Sequence, residues 1–465
     1  MSRAVAQLST PAWSQGRTGG VTATLGARDS LTQRLLSLLF MTTVVCSAVA
    51  AYNVGPIPVP WAGHVLAIGG TVLLVLRTFR TPLLPGAGMF LFWGALLATT
   101  TVVQSMVHRY AGLMPELATT PYPIFLTLRF FNLLGFIFTA ALTAWFIHRF
   151  GRQRMIRATT GIGAFFAFFA LYVYAAQLLG LPEPPRSRLG TNGGEQAIQF
   201  DYAFHRALGS FREPSHLAEW LLVPFVLSFV SSDRQMIVRR LVMGLVLLLT
   251  GSLTGILSVL AGFGAALVFS PTNLGARLMT AFKLGVVGVA PYAVFQLLVK
   301  SNDSNSVSLF QVILDRVMPL IFGGGLKASN RGYVYEFVDA VPPPFWGHGI
   351  GNCNLVFSDY MGVPFITSMQ SLYVNTLYAA GYPGLMMLVV AVAIPLVPLY
   401  TRPLSGIDPR HILLGLAGYF GWLVVFAVHA EELSVGFAIA YAFVATLLID
   451  RQPVSAASNV PSPVN

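Results

Sequence analysis

Lysine is nearly missing from this chain: it occurs at Lys283, Lys300 and Lys327 and nowhere else in 465 residues. Charge of either sign is scarce, at 10% of residues, against roughly a quarter in a water-soluble domain. So few charges cannot cover a soluble body of this size, which excludes a soluble globular protein. Cysteine is limited to Cys46 and Cys353. The first falls in an apolar run and the second in a loop, so neither a disulfide nor a cysteine metal motif is expected. There is no Asp-x-Asp pair and no Gly-x-x-x-x-Gly-Lys-Ser/Thr loop. These absences disfavour a metal-dependent nucleotide-sugar transferase and a nucleotide-driven motor. The net charge of +11 is dispersed arginine. No basic stripe interleaves with aromatics, so nucleic acid is not an expected partner.

What the chain has instead is apolar residues, 55% of the total, with a mean hydropathy of +0.70. They recur in runs separated by Pro, Gly and charge clusters. The pattern predicts an all-α polytopic membrane protein of about twelve transmembrane helices. The helices fall near 34–52, 61–79, 86–105, 123–148, 155–179, 216–232, 236–250, 253–270, 278–299, 371–399, 411–428 and 433–450. The polar stretches 1–32 and 453–465 read as disordered cytosolic tails. Ala48-Val49-Ala50 looks like a signal-peptide cleavage site. The long polar region before it and the spans after it favour an uncleaved first helix.

Arginine orients the bundle. With the N-terminus inside, the inner connections collect Arg77/Arg80, Arg149/Arg152/Arg154/Arg157, Arg234/Arg239/Arg240, Arg277, Arg402/Arg410 and Arg451, and the short outer ones almost none. This predicts an N-in, C-in arrangement. Two outer loops, about 181–215 and 300–370, are too long to be connectors alone, and loops of that length are commonly functional. They hold most of the acidic residues, among them Glu183, Glu195, Asp201, Glu213, Asp303, Asp315, Glu336, Asp339 and Asp359, and also Arg186, Arg188, Arg206, Arg212, Arg316 and Arg331. Reporter fusions near 195 and 330 should therefore read outside and fusions near 153 and 405 inside. Cytosolic readouts at both 195 and 330 would reverse the orientation.

The densest polar cluster is Phe211-Arg212-Glu213-Pro214-Ser215-His216-Leu217-Ala218-Glu219-Trp220, where the first long loop enters a helix. Pro214 suits a first helical position. His216 and Glu219, three residues apart, share a helix face. A helix N-terminus and the fork of Arg212 together favour an anion such as phosphate. The plainer alternative is an interfacial helix cap with snorkelling charges. Arg129, a short way into an apolar helix, either faces the same site or snorkels to the interface. His429, Glu431 and Glu432 line the same cavity or form a solvated turn. His348 is read first as a turn residue. Asn352 and Asn354 are loop polars within reach of a sugar.

Four stretches in this order resemble the O-antigen polymerase and O-antigen ligase superfamily, in its exopolysaccharide repeat-unit polymerase branch. They are the Arg212–Trp220 segment, Thr250-Gly251-Ser252-Leu253-Thr254-Gly255, Arg331 followed by Tyr335-Glu336 and Gly347-His348-Gly349-Ile350-Gly351-Asn352, and Gln370-Ser371 leading to Gly381-Tyr382-Pro383-Gly384-Leu385. Together they cover residues 200–390. The resemblance implies a glycosyltransferase of the bacterial inner membrane, with undecaprenyl-diphosphate-linked oligosaccharide as substrate, a chain-length regulator as candidate partner and no cofactor. It implies Arg212 and Arg331 on the diphosphate and Glu213 or His216 as the base, with Arg129, Glu219, Glu336, His348 and Asn352 in substrate binding. No metal is expected, and activity is expected to survive EDTA. Ligases of this group carry His-Asn where this chain has Gln370-Ser371, which weights the reading toward polymerase. An O-antigen ligase is the alternative enzyme. A lipid-linked glycan flippase is the alternative of another class, disfavoured because charge lies in loops rather than inside helices.

Overall fold

The structure is a computed structural model. It describes residues 25–55, 57–78, 84–118, 120–187, 205–270, 275, 332–402, 407–430 and 432–447, without the side chains of 25–30. Among these residues the chain is helical, with one hairpin, β1 (Asn53–Val54) against β2 (Ile57–Pro58). The helices are α1 (Leu25–Ser47), α2 (Val59–Thr78), α3 (Ala87–Val107), α4 (Tyr122–Phe150), α5 (Arg152–Leu179), α6 (Pro214–Leu227), α7 (Arg234–Leu249), α8 (Leu253–Phe269), α9 (Gly332–Ala340), α10 (Asn352–Met361), α11 (Leu372–Ala393), α12 (Val397–Thr401), α13 (Pro409–Val428) and α14 (Val435–Thr446).

Among the described residues six helices are long and apolar enough to cross a membrane: α2, α3, α4, α5, α11 and α13. Shorter apolar helices, in α1, α6, α8 and α14, pack among them. The chain is an all-α, multi-pass membrane protein. The sequence-predicted span near 278–299 lies outside the described residues. Helix α1 begins at Leu25, so residues 25–32 are helical and not part of a disordered tail. Extending a helix already formed by its apolar run costs far less than starting one. The second long loop, where described, also folds, as α9 and α10. Phe337 of α9 packs on Phe357 and Tyr378, at 4.8 Å between ring centres in each case.

Helix α6 sits at the middle. All its residues except His216 are buried, as expected of a helix apolar on every side. It packs on α5, α7, α8, α13 and α14. Among the described helices α8 packs most extensively on α13. There Gly262 lies against the Ala417 carbonyl, and a Cβ on Gly421 would stand 2.9 Å from the Ser258 carbonyl oxygen. Small residues let backbones approach where lipid removes the usual hydrophobic drive.

Helix α11 is broken at Gly381 (φ 66°, ψ −164°). Pro383, two residues on, has no N–H for the Ala379 carbonyl, and the Tyr382 N–H turns away to Phe345 O at 3.2 Å. The carbonyls of Tyr378 and Ala379 are thereby released. The glycine-rich loop takes both: His348 N–H donates to Tyr378 O at 2.7 Å and Gly349 N–H to Ala379 O at 2.8 Å. Buried backbone groups must be paired, and here the loop completes a helix.

Candidate functional site

The segment before α6 is pinned from several sides. Arg206 Nε donates to Thr250 O at 2.8 Å and Ala207 N to Leu249 O at 2.9 Å. Arg186 Nη2 reaches Gly209 O at 3.0 Å and Ala51 N reaches Ser210 O at 2.9 Å. The Thr250–Gly255 stretch is thus the α7–α8 turn on which this segment rests. Ser252 caps α8 through the Gly255 N–H at 3.2 Å. Glu213 is the N-cap residue of α6, with Pro214 at its first position. Ser215 Oγ donates to Glu213 Oε2 at 3.3 Å.

Arg212, His216 and Glu219 then face a cavity of about 610 Å³, shared with Arg129 and Asn132 of α4 and with His429 and Glu432 between α13 and α14. Trp61, Trp220, Trp422, Phe125 and Phe211 contribute aromatic walls. Arg129 forms an ion pair with Glu432, whose other oxygen accepts from Asn132 Nδ2. Arg129 therefore does not snorkel away, and the turn before α14 is not merely solvated. Arg129 also stands over the Phe125 ring, 5.2 Å from its centre. Arg212, half-buried, is in no ion pair among the described residues.

Glu219 and His429 form a buried pair, 6% and 7% exposed, with the carboxylate against Nδ1. The His429 ring stands edge-on to His216, 4.9 Å between centres. Burial lowers the His429 pKa, with His216 adding to the fall and Glu213 opposing it. Ligand atoms of Glu213, His216 and His429 all lie within 4.8 Å of one another, and these three could hold a metal ion. The sequence reading expected no metal here. Ligands drawn from two helix ends so far apart in the chain leave no local spacing motif.

His348 and Asn352 lie elsewhere, in a second network. Tyr110 Oη bonds His348 Nδ1 at 2.8 Å, Tyr122 Oη donates to Asn352 Oδ1 at 2.7 Å, and Asn352 Nδ2 donates to Ser105 Oγ at 3.1 Å and to His348 O at 2.9 Å. Thr101 Oγ1 accepts the Ile350 N–H at 2.8 Å. Burial and then His108 lower the His348 pKa. Burial first, and then Tyr122 and Cys353, push Tyr110 up to about 12. Asn352 and His348 hold the glycine-rich loop and do not line the cavity. Asn354, also fully buried, donates to Thr367 O at 3.1 Å. Glu336 is exposed on α9, because the buried Val334 and Phe337 turn it outward. Arg331 and Glu431 lie outside the described residues.

The sequence reading missed Asn132, His64, Trp61 and Trp422. Asn132 was findable, since it lies one turn from Arg129 on the same face. Neither Cys46 nor Cys353 is in a disulfide, and Cys353 Sγ bonds Asn375 Oδ1 at 3.0 Å. Gln370 has a positive φ of 50° and Ser371 caps α11 through the Val374 N–H at 3.3 Å. Comparison with family models, with curated proteins and with solved structures found no match.

Proposed function

We propose that this protein is a polysaccharide repeat-unit polymerase of the bacterial inner membrane, related to the O-antigen polymerase and ligase superfamily. It moves a growing glycan from undecaprenyl diphosphate to the sugar of a second lipid-linked unit on the outer face. The observation that supports this most is the cavity itself. Arg212, in no ion pair among the described residues, a second arginine, three imidazoles and carboxylates converge inside an apolar helical bundle, beside aromatic walls that suit sugar rings. Ionisable groups at such depth are costly and are retained for function.

The chemistry follows from these groups. An acceptor hydroxyl oxygen attacks the anomeric carbon of the donor glycan. The bond from that carbon to the diphosphate oxygen breaks, and its electron pair leaves with the diphosphate. Arg212 neutralises the charge that builds up there, since a guanidinium is permanently charged and matches two phosphate oxygens at once. Glu213 and His216 stand on the acceptor side, where the hydroxyl gives up its proton. The twelve-span, N-in and C-in arrangement belongs to this reading, since only the outer face lacks nucleotide sugars and needs a lipid-linked donor.

A deletion strain tests the reading. Loss of a polymerase leaves single repeat units on the lipid carrier, and restoring the gene clears them. Long polymer retained on the carrier would make the protein a ligase, and unchanged polysaccharide would remove it from the pathway.

A further inference from the structure

We infer that Glu213, His216 and His429 form a binding site for a divalent transition-metal ion of the zinc class, with Glu219 orienting His429 from behind. Three observations converge on it.

The first is the donor set. One carboxylate and two imidazoles bring their ligand atoms within 4.8 Å of each other. Zinc sites use bonds of about 2.0–2.2 Å to such atoms, and a set of three with a further position open is the form taken by reactive rather than structural zinc. Glu213 and His216 are fixed across the first turn of α6, and His429 follows the last turn of α13. Small side-chain adjustments suffice to close such a site, because both supporting helices are packed.

The second is the group behind it. The Glu219 carboxylate lies against His429 Nδ1, and both side chains are more than nine-tenths buried. A carboxylate at Nδ1 holds the proton there and leaves Nε2 as a lone-pair donor. Metal-bound histidines almost always have such a partner on their other nitrogen. Here the partner points at a histidine whose ring already meets His216.

The third is charge. Among the described residues the cavity lining has two arginines, Arg129 and Arg212, and two carboxylates, Glu219 and Glu432; Glu213, within 4.8 Å of the lining imidazoles, makes a third, so 2 − 3 leaves −1 with the imidazoles neutral. An uncompensated negative charge in an apolar bundle is costly, and it opposes an arriving diphosphate. A dication turns the balance to +1. Arginine alone, on which the sequence reading relied, does not.

The site's binding of the ion stands on these residues alone. Its use rests on the glycan reading: the open position takes the acceptor hydroxyl, whose pKa the ion lowers, and Glu213 and His216 then act on that hydroxyl through the ion, its proton passing to water rather than to either side chain. Activity is then lost on chelation, the opposite of the expectation from sequence.

The test uses the full chain, purified in detergent with its tag removed. Bound metal is measured by mass spectrometry. The EDTA-stripped protein is then titrated with Co²⁺ and followed by visible absorption. About one ion per chain is expected, with a Co²⁺ spectrum of low coordination number that Zn²⁺ displaces. Glu219→Gln should weaken binding roughly 10- to 100-fold, and His216→Asn and His429→Asn more than that. His148→Asn, at the far end of α4, should leave it unchanged. Variants are compared only where gel filtration matches the parent. Failure of the parent protein to bind Co²⁺ or Zn²⁺ would overturn the inference, as would full retention of the ion in both histidine variants. Polymer formation is assayed separately: an ion bound without polymerase activity rejects the glycan reading and leaves the site standing.

Discussion

Alanine at position 381 is expected to remove most of the folded protein from the membrane. Gly381 has φ 66°, in the left-handed region, in the middle of α11. A Cβ there would overlap the Phe345 carbonyl oxygen and stand 2.9 Å from Trp346 Cα. Both neighbours are backbone, so no side chain can swing aside. The left-handed conformation alone costs about 1–2 kcal/mol for a residue with a Cβ. Displacing the loop also strips partners from the Tyr378 and Ala379 carbonyls, at about 1–3 kcal/mol for each buried group left unpaired. The total is on the order of 3–8 kcal/mol, a large loss for one substitution and a large fraction of the stability of a typical protein. Gly264→Ala is the control, since a Cβ there has nothing within 4 Å. The measurement is yield and thermal midpoint by fluorescence-detected gel filtration. Normal yield and midpoint for Gly381→Ala would mean that the break in α11 is not required.

Lysine in place of Arg212 should cut polymer yield roughly 100- to 1000-fold, the usual effect of losing one contact to a developing anion. The charge survives this change and the planar fork does not. Stability should barely move, because Arg212 is in no ion pair among the described residues. Arg129→Lys is different. Arg129 is paired with Glu432, so its replacement should lower both activity and thermal midpoint. Glu213→Gln should match Arg212→Lys in activity, the amide keeping the shape of the carboxylate without its charge. Full polymer yield from the Arg212 and Glu213 variants at normal expression would reduce the 211–219 segment to a helix cap.

Much of the fold was legible in the sequence because lipid imposes a simple rule. Apolar runs between charged punctuation give helices, and their predicted limits lie close to those of α2, α3, α4 and α13. The break in α11 was not legible. Pro383 predicts a disturbance, but the partners that make it tolerable come from residues 345–349. Half of the site was legible for a similar reason. Arg212, Glu213, His216 and Glu219 are neighbours on one helix start, and one-dimensional spacing reveals them. For His429 and Glu432 the sequence left cavity and solvated turn both open, and packing decides: α13 against α6 brings His429 to Glu219, and α14 against α4 brings Glu432 to Arg129. His348 and Asn352 misled in the other direction. Polar residues in a glycine-rich loop look like substrate contacts, but here their hydrogen bonds are spent on Tyr110, Tyr122 and Ser105.

The splice between the glycine-rich loop and α11 also bears on how this chain can diverge. Its joints are amide to carbonyl, so they read no side-chain identity. Phe345, 59% exposed, holds the joint with a carbonyl that every residue possesses, and His348 and Gly349 hold it with an N–H that only proline lacks. Gly347, Gly349 and Gly381 hold it by having no Cβ where backbone passes. The junction is therefore specified by a few omissions rather than by a conserved vocabulary of side chains. Two descendants of such a chain can keep the same architecture while sharing little beyond the placement of glycine and proline.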